Sequence, residues 1–249
     1  MEGAVLVVGG SGGLGQAICR RLAVEWPAVV LTYHGNAERA ARLQAELSGG
    51  TQVDAVRMDV RRDEDVQAAL ARADSMPGGL KGVVFSSGAD ILQPFVSQMS
   101  QEMWTDVIEV ELLGFTRLIR LALPLLRARG GGAIVSVVSV ATYWFPPGDA
   151  ISAVPKAGIE MLTRAVAKEE GRYGVRANSV APGIINAGIG TVVQEKTHSK
   201  EVWEQQQRRI PARRFGQAAD VAEAVGFLLS WRASYVTGNT IVVDGGLRL

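Results

Sequence analysis

Cysteine is almost absent from this chain of 249 residues: Cys19 stands alone, which excludes an internal disulfide and a zinc site built from cysteines. No other metal site is read from the sequence. Charge of one sign is missing too. Lys and Arg number 26 against 25 Asp and Glu, and basic residues never run beyond pairs such as Arg61-Arg62, Arg208-Arg209 and Arg213-Arg214. Such pairs read as solvated edges, so no nucleic-acid or anionic-membrane surface is expected. Long apolar runs are lacking as well, since the most apolar region, Leu112–Leu126, carries Arg117 and Arg120. The first residues, Met1-Glu2-Gly3-Ala4, have no basic stretch of the secretory kind. The expectation is a cytoplasmic protein that spans no membrane. With no repeat and no low-complexity linker, residues 1–249 read as one domain.

What is present is a rhythm. Apolar, β-rich runs at Ala4–Val8, Ala28–Tyr33, Gln52–Arg57, Gly82–Ser86, Ala133–Val138, Arg176–Val180 and Thr240–Asp244 alternate with helical patterns. The helices fall near Gly13–Val24, Glu38–Leu47, Asp63–Ala73, Gln101–Arg129, Ala153–Tyr173 and Asp220–Ser230. Continuous apolar strands are those buried on both faces of a parallel sheet. Strict strand–helix alternation predicts an α/β Rossmann-type, doubly wound parallel sheet of about seven strands with helices on both faces. One polar stretch, 186–217, breaks the rhythm after Pro182-Gly183. Ligands sit beyond the carboxyl ends of such strands, so an insertion there is placed to act as a lid. His198 within it reads as a surface residue.

The first strand runs into Gly9-Gly10-Ser11-Gly12-Gly13-Leu14-Gly15 and then a helix. Glycines there permit a tight turn and a close approach of backbone to pyrophosphate, while the helix N-terminus offers N–H groups and a positive dipole end. Between a strand and a helix, the segment reads as a dinucleotide site. A site for NAD usually carries an acid about 20 residues on, at the end of the second strand. This chain has Thr32-Tyr33-His34-Gly35-Asn36 there, with no acid before Glu38. The missing carboxylate removes a repulsion against a 2′-phosphate, and His34 or Arg39 adds attraction, so NADP(H) is favoured over NAD(H).

These residues resemble the short-chain dehydrogenase/reductase family over essentially the whole chain. The glycine segment is similar to that family's T-G-x-x-x-G-x-G, with Val8 where its threonine stands. Met58-Asp59-Val60 resembles its adenine-contacting motif, Ser86-Ser87-Gly88 its N-A-G, and Ala181-Pro182-Gly183 its nicotinamide-side segment. Val236-Thr237-Gly238-Asn239 and Val243-Asp244-Gly245-Gly246 resemble its C-terminal segments. The resemblance implies a cofactor held by Gly9, Ser11, Gly12, Gly13, Leu14, Gly15, Tyr33, His34, Asp59, Val60, Ser86, Ser87, Gly88, Lys156, Pro182, Gly183 and Ile185. It also implies a homo-oligomer, dimer or tetramer, and a small-molecule or carrier- or CoA-thioester substrate.

The family's active site is Asn, Ser, Tyr and Lys. Ser139 and Lys156 match two of these, but Ser152 stands four residues before the lysine where tyrosine is usual, and Glu111 stands for the asparagine. A serine hydroxyl is too weak an acid to replace tyrosine directly. Ser152 reads alternatively as the N-cap of a helix with Pro155 in its first turn. Tyr143, thirteen residues before Lys156, is the candidate donor, as in the 2,4-dienoyl thioester reductases that this pattern resembles; it reads alternatively as a wall of the substrate pocket. Asp149 lies seven before Lys156, where enoyl reductases of this fold class have tyrosine, so that pattern is not met. Glu111 falls on the apolar stripe of its helix, and the resemblance sets Lys156 near it, which predicts an ion pair; a desolvated Glu111 is alternatively a general acid or base. Three functions stay open: an NADP(H)-dependent reductase of a carbonyl or conjugated enoyl group, a non-redox isomerase, dehydratase or cyclase working through Glu111, and a catalytically lapsed binding subunit.

Overall fold

The computed structural model describes residues 1–88, 93–188 and 200–249. Strands β1 (Ala4–Val8), β2 (Ala28–Tyr33), β3 (Gln52–Arg57), β4 (Leu80–Phe85), β5 (Gly132–Val137), β6 (Val175–Pro182) and β7 (Thr240–Val243) form one sheet in the order β3-β2-β1-β4-β5-β6-β7. All six pairings are parallel. The α/β doubly wound sheet of seven strands expected from the alternation is therefore the fold. Its order reverses between β1 and β4, which opens the crevice where ligands of such sheets bind.

Alternation along a buried strand divides the core between two faces. Ala4, Leu6 and Val8 of β1 pack with Val66 and Leu70 of α3 (Asp63–Asp74), Phe115 and Leu118 of α5 (Gly114–Ala128), and Ile159 of α6 (Ala150–Glu170). Val5 and Val7 face the other side, toward Ile18 and Leu22 of α1 (Gly13–Ala23), Leu43 of α2 (Ala37–Leu47), and Val221 and Val225 of the C-terminal helix Ala218–Leu229. No described helix is long and apolar enough to cross a membrane.

Two helices differ from the sequence pattern. The long helix read over Gln101–Arg129 is α4 (Gln101–Ile108) joined to α5 by a π turn at Glu109–Leu113. Helix α6 begins at Ala150 rather than Ala153, with Asp149 at its N-cap, so the N-cap reading of Ser152 is corrected: Ser152 lies inside the first turn. Within the stretch 186–217, α7 (Lys200–Arg209) forms, and the bridge of Ile185 with Gly216 ties its ends together; His198 lies outside the described residues. The helix Ala218–Leu229 is α8.

Arg176 of β6 closes the C-terminus of α8. Its guanidinium donates to the carbonyls of Leu228 at 2.8 Å, Ser230 at 3.2 Å, Leu229 at 3.4 Å and Val236 at 3.4 Å. A helix leaves its last carbonyls without partners, and a cation there completes them. Arg176→Met strands half-buried acceptors and is expected to cost about 2 kcal/mol, read as a lower denaturant midpoint with unchanged slope.

Candidate active site

The glycine turn sits at the crevice, and its geometry follows from crowding. Gly9 N donates to Thr32 Oγ1 at 3.1 Å, Ser11 N to Thr32 O at 3.3 Å and Gly12 N to Gly9 O at 2.9 Å, which fold the turn tightly between β1 and α1. A Cβ on Gly15 would lie 2.1 Å from Gly9 O and 2.8 Å from Gly10 Cα. A Cβ on Gly13 would lie 2.4 Å from Gly188 N, so the backbone following β6 arches onto the turn. No acidic residue occupies the first turn of α1, leaving the positive helix end at Gly13, Leu14 and Gly15 for an anion. Gly12 is the N-cap and makes no side-chain bond there. The opposite wall is Ser86, whose N and Oγ both donate to Val8 O, at 3.0 and 2.8 Å, followed by Ser87 and exposed Gly88. Gly183 N donates to Val243 O at 2.9 Å beyond Pro182, and Ile185 is buried. This cradle, crowded against side chains and free of acid, fits a dinucleotide pyrophosphate.

At the edge of the sheet, Tyr33 ends β2 in register with Arg57 of β3. His34, Arg39 and Arg57 are exposed, and among the described residues neither Arg39 nor Arg57 has a carboxylate partner. Arg57 was not read from the sequence; the signal is its position at the end of the strand beside β2. Asp59 is engaged locally. Arg61 donates to it from Nε at 2.9 Å and from Nη2 at 2.6 Å, and with the Arg61 backbone N–H this holds its carboxyl down at about 2, against the opposing effect of burial. An adenine at Asp59 would share that carboxylate with Arg61. Val60 is buried, and its carbonyl accepts from Arg117 Nη1 at 2.8 Å.

The π turn inserts one residue into the helix, the N–H of Gly114 reaching back to Glu109 O, a device common at functional sites. It carries Glu111, 0% exposed. Lys156 Nζ on α6 donates to Glu111 Oε2 at 2.7 Å and to Ser152 Oγ at 3.2 Å. The ion pair expected from the sequence is formed, and Glu111 serves as counter-ion to the lysine. Ser139, just beyond β5, accepts from Ala141 N at 3.1 Å, which leaves its own proton to be donated. Among the described residues no group of three or more His, Cys, Asp or Glu could hold a metal ion.

Tyr143 is not brought to this cluster. Its hydroxyl donates to Glu160 Oε1, a carboxylate that also accepts from Arg164 at 2.5 Å and Thr240 at 2.9 Å. Burial and the Glu160 carboxylate push the phenol above its ordinary value, although the residue is 41% exposed. The buried Glu160, one turn beyond Lys156 on α6, thus engages the hydroxyl expected as a donor. Asp149 and Gln93 enter instead. Gln93 Nε2 donates to Asp149 Oδ1 at 2.6 Å, and Asp149 is 8% exposed.

Comparison with known proteins agrees with the fold. Residues 9–248 match a family model described as Enoyl-(Acyl carrier protein) reductase. The chain is 34% identical over 248 residues to the 3-oxoacyl-[acyl-carrier-protein] reductase FabG of Staphylococcus aureus, covering 99% of this chain and 98% of that protein. It is 33% identical over 246 residues to glucose 1-dehydrogenase 2 of Bacillus subtilis, covering 98% and 94%. A short-chain type dehydrogenase/reductase from Mycobacterium ulcerans superposes with a TM-score of 0.92 at 27% identity, covering 99% of this chain and 90% of that one.

Proposed function

The chain belongs to the short-chain dehydrogenase/reductase family, a family of oxidoreductases, and from that premise we propose that it is an NADP(H)-dependent reductase of a carbonyl or conjugated enoyl group in a small-molecule or thioester substrate. The observation that carries the reading is Lys156 held between Glu111 and Ser152, in a chain whose glycine turn between β1 and α1 is too crowded for side chains. A bound reduced nicotinamide supplies hydride. The chain supplies the rest. Helix α1 and its glycines take the pyrophosphate, Lys156 with its charge fixed by Glu111 binds the ribose, and Ser139 donates to the substrate oxygen as negative charge develops there. The exposed Arg39 and Arg57, with the His34 imidazole as a further hydrogen-bonding group, favour a 2′-phosphate over a bare ribose. The 3-oxoacyl carrier named for the Staphylococcus aureus relative supports a thioester substrate. The stretch 186–217 acts as the lid. A homo-oligomer in the cytoplasm is part of the same reading, with Leu113, Val154 and Met161 exposed on the helices that would pair.

A panel of acetoacetyl-CoA, crotonyl-CoA and simple ketones, assayed for NADPH consumption, tests this. Steady consumption with at least one member is expected. Turnover without NADPH consumption would favour isomerase, dehydratase or cyclase chemistry, and nucleotide binding without any turnover a lapsed subunit.

A further inference from the structure

Reduction of a carbonyl needs an acid beside the developing oxyanion, and the obvious candidates are committed elsewhere. The Tyr143 hydroxyl donates a hydrogen bond to the Glu160 carboxylate, and Glu111 pairs with Lys156. Ser152 is too weak an acid. Asp149 is different. Positions 149, 152 and 156 recur at helical spacing, which sets Asp149, Ser152 and Lys156 along one face at the start of α6. The backbone holds Asp149 there, its carbonyl accepting from Ser152 N at 3.1 Å and Ala153 N at 2.8 Å. The residue is 8% exposed; Oδ1 accepts from Gln93, and among the described residues no cation forms an ion pair with the carboxyl. A buried carboxyl without an ion pair keeps its proton more readily than one in water.

We propose that Asp149 is the general acid of this active site, donating its proton to the oxygen of a substrate carbonyl. The proposal rests on the reductase reading above. The Asp149 O–H bond breaks, the carbonyl π pair forms the new O–H bond, and hydride from a reduced nicotinamide dinucleotide completes the two-electron reduction. The carboxylate left behind lies near Lys156 and regains its proton from water. Burial pushes the Asp149 carboxyl up, the Gln93 amide and the charge of Lys156 draw it down, and the charge of Glu111 pushes it up again, leaving it raised from the ordinary aspartate value. The charged groups facing it are thus Lys156 from its own helix and Glu111 from the π turn. Because the protonated form is the competent one, reduction slows as pH rises through this group's pKa.

Asp149→Asn keeps an acceptor for Gln93 and removes the acid. With acetoacetyl-CoA and NADPH, kcat is expected to fall about 10²- to 10⁴-fold with KM and the NADPH dissociation constant unchanged, the alkaline loss of kcat to vanish, and Asp149→Glu to recover part of the rate. An Asn variant with wild-type kcat and pH profile would overturn the assignment while leaving the reductase intact. Should the wild type reduce nothing, infrared difference spectra of the NADPH-bound protein decide separately. A protonated-carboxyl band that persists to higher pH than that of an exposed aspartate, and that Asp149→Asn removes, is expected; a wild-type band lost at the pH of an exposed aspartate overturns the assignment without reference to turnover.

Discussion

Lys156→Met is expected to destabilise the protein by about 3 kcal/mol and to weaken its binding of nicotinamide dinucleotide. Methionine keeps the apolar stem and removes only the charge. Glu111 is then a buried carboxylate without its ammonium, in a turn where its side chain is 1% exposed and that of Lys156 is 15% exposed. Breaking such a pair costs far more than the pair contributes, because the remaining ion keeps its desolvation penalty. Removing both charges together avoids that penalty. Glu111→Leu combined with Lys156→Met should therefore recover much of the lost stability while leaving dinucleotide binding weak. Urea denaturation of the wild type, both single variants and the double variant closes the cycle. A single variant with wild-type stability would mean that water or another group satisfies Glu111, and that the π turn is not held by this pair.

Gly15→Ala is expected to abolish dinucleotide binding and to cost about 3 kcal/mol in stability. The methyl would meet Gly9 O and Gly10 Cα, at 2.1 and 2.8 Å. Both are backbone atoms of the same tight turn, and neither can rotate away as a side chain does. Gly12→Ala is the matched control. Its Cβ meets only Gly9 O, at 3.1 Å, and the N-cap backbone has φ −71° and ψ 174°, open to any residue. The control is expected to stay within about 1 kcal/mol of the wild type. Thermal melts with and without NADPH read both effects, since a bound ligand raises the midpoint only while its site survives.

The fold was legible because two periods run cleanly through the chain. Strands such as Ala4–Val8 are apolar without interruption, as burial on both faces demands, and a helical pattern follows each through α6. Glu111 also stood out, since a carboxylate on an apolar stripe requires a partner. The π turn that carries it did not, because one extra backbone residue leaves the side-chain pattern almost unchanged. Tyr143 shows the limit of spacing: the direction of the loop following Ser139 is decided by Glu160, a buried acceptor one turn beyond Lys156. Asp149 was visible only as a missing tyrosine. Its burial and its bond to Gln93 join two loops far apart in the chain, and no local pattern encodes such a meeting. Arg57 reaches the edge of the dinucleotide site through the register of β2 with β3, which strand composition alone does not specify.

The reductase reading depends on a working nucleotide site, and the most direct measurement is fluorescence titration of the purified protein with NADPH and with NADH, repeated on Lys156→Met. The account predicts saturable NADPH binding, about tenfold tighter than NADH or better through charge-assisted bonds to the 2′-phosphate, and weakened in the variant. Saturation by neither nucleotide would contradict it, and Glu111 and Ser152 would then mark a site that no longer serves a cofactor.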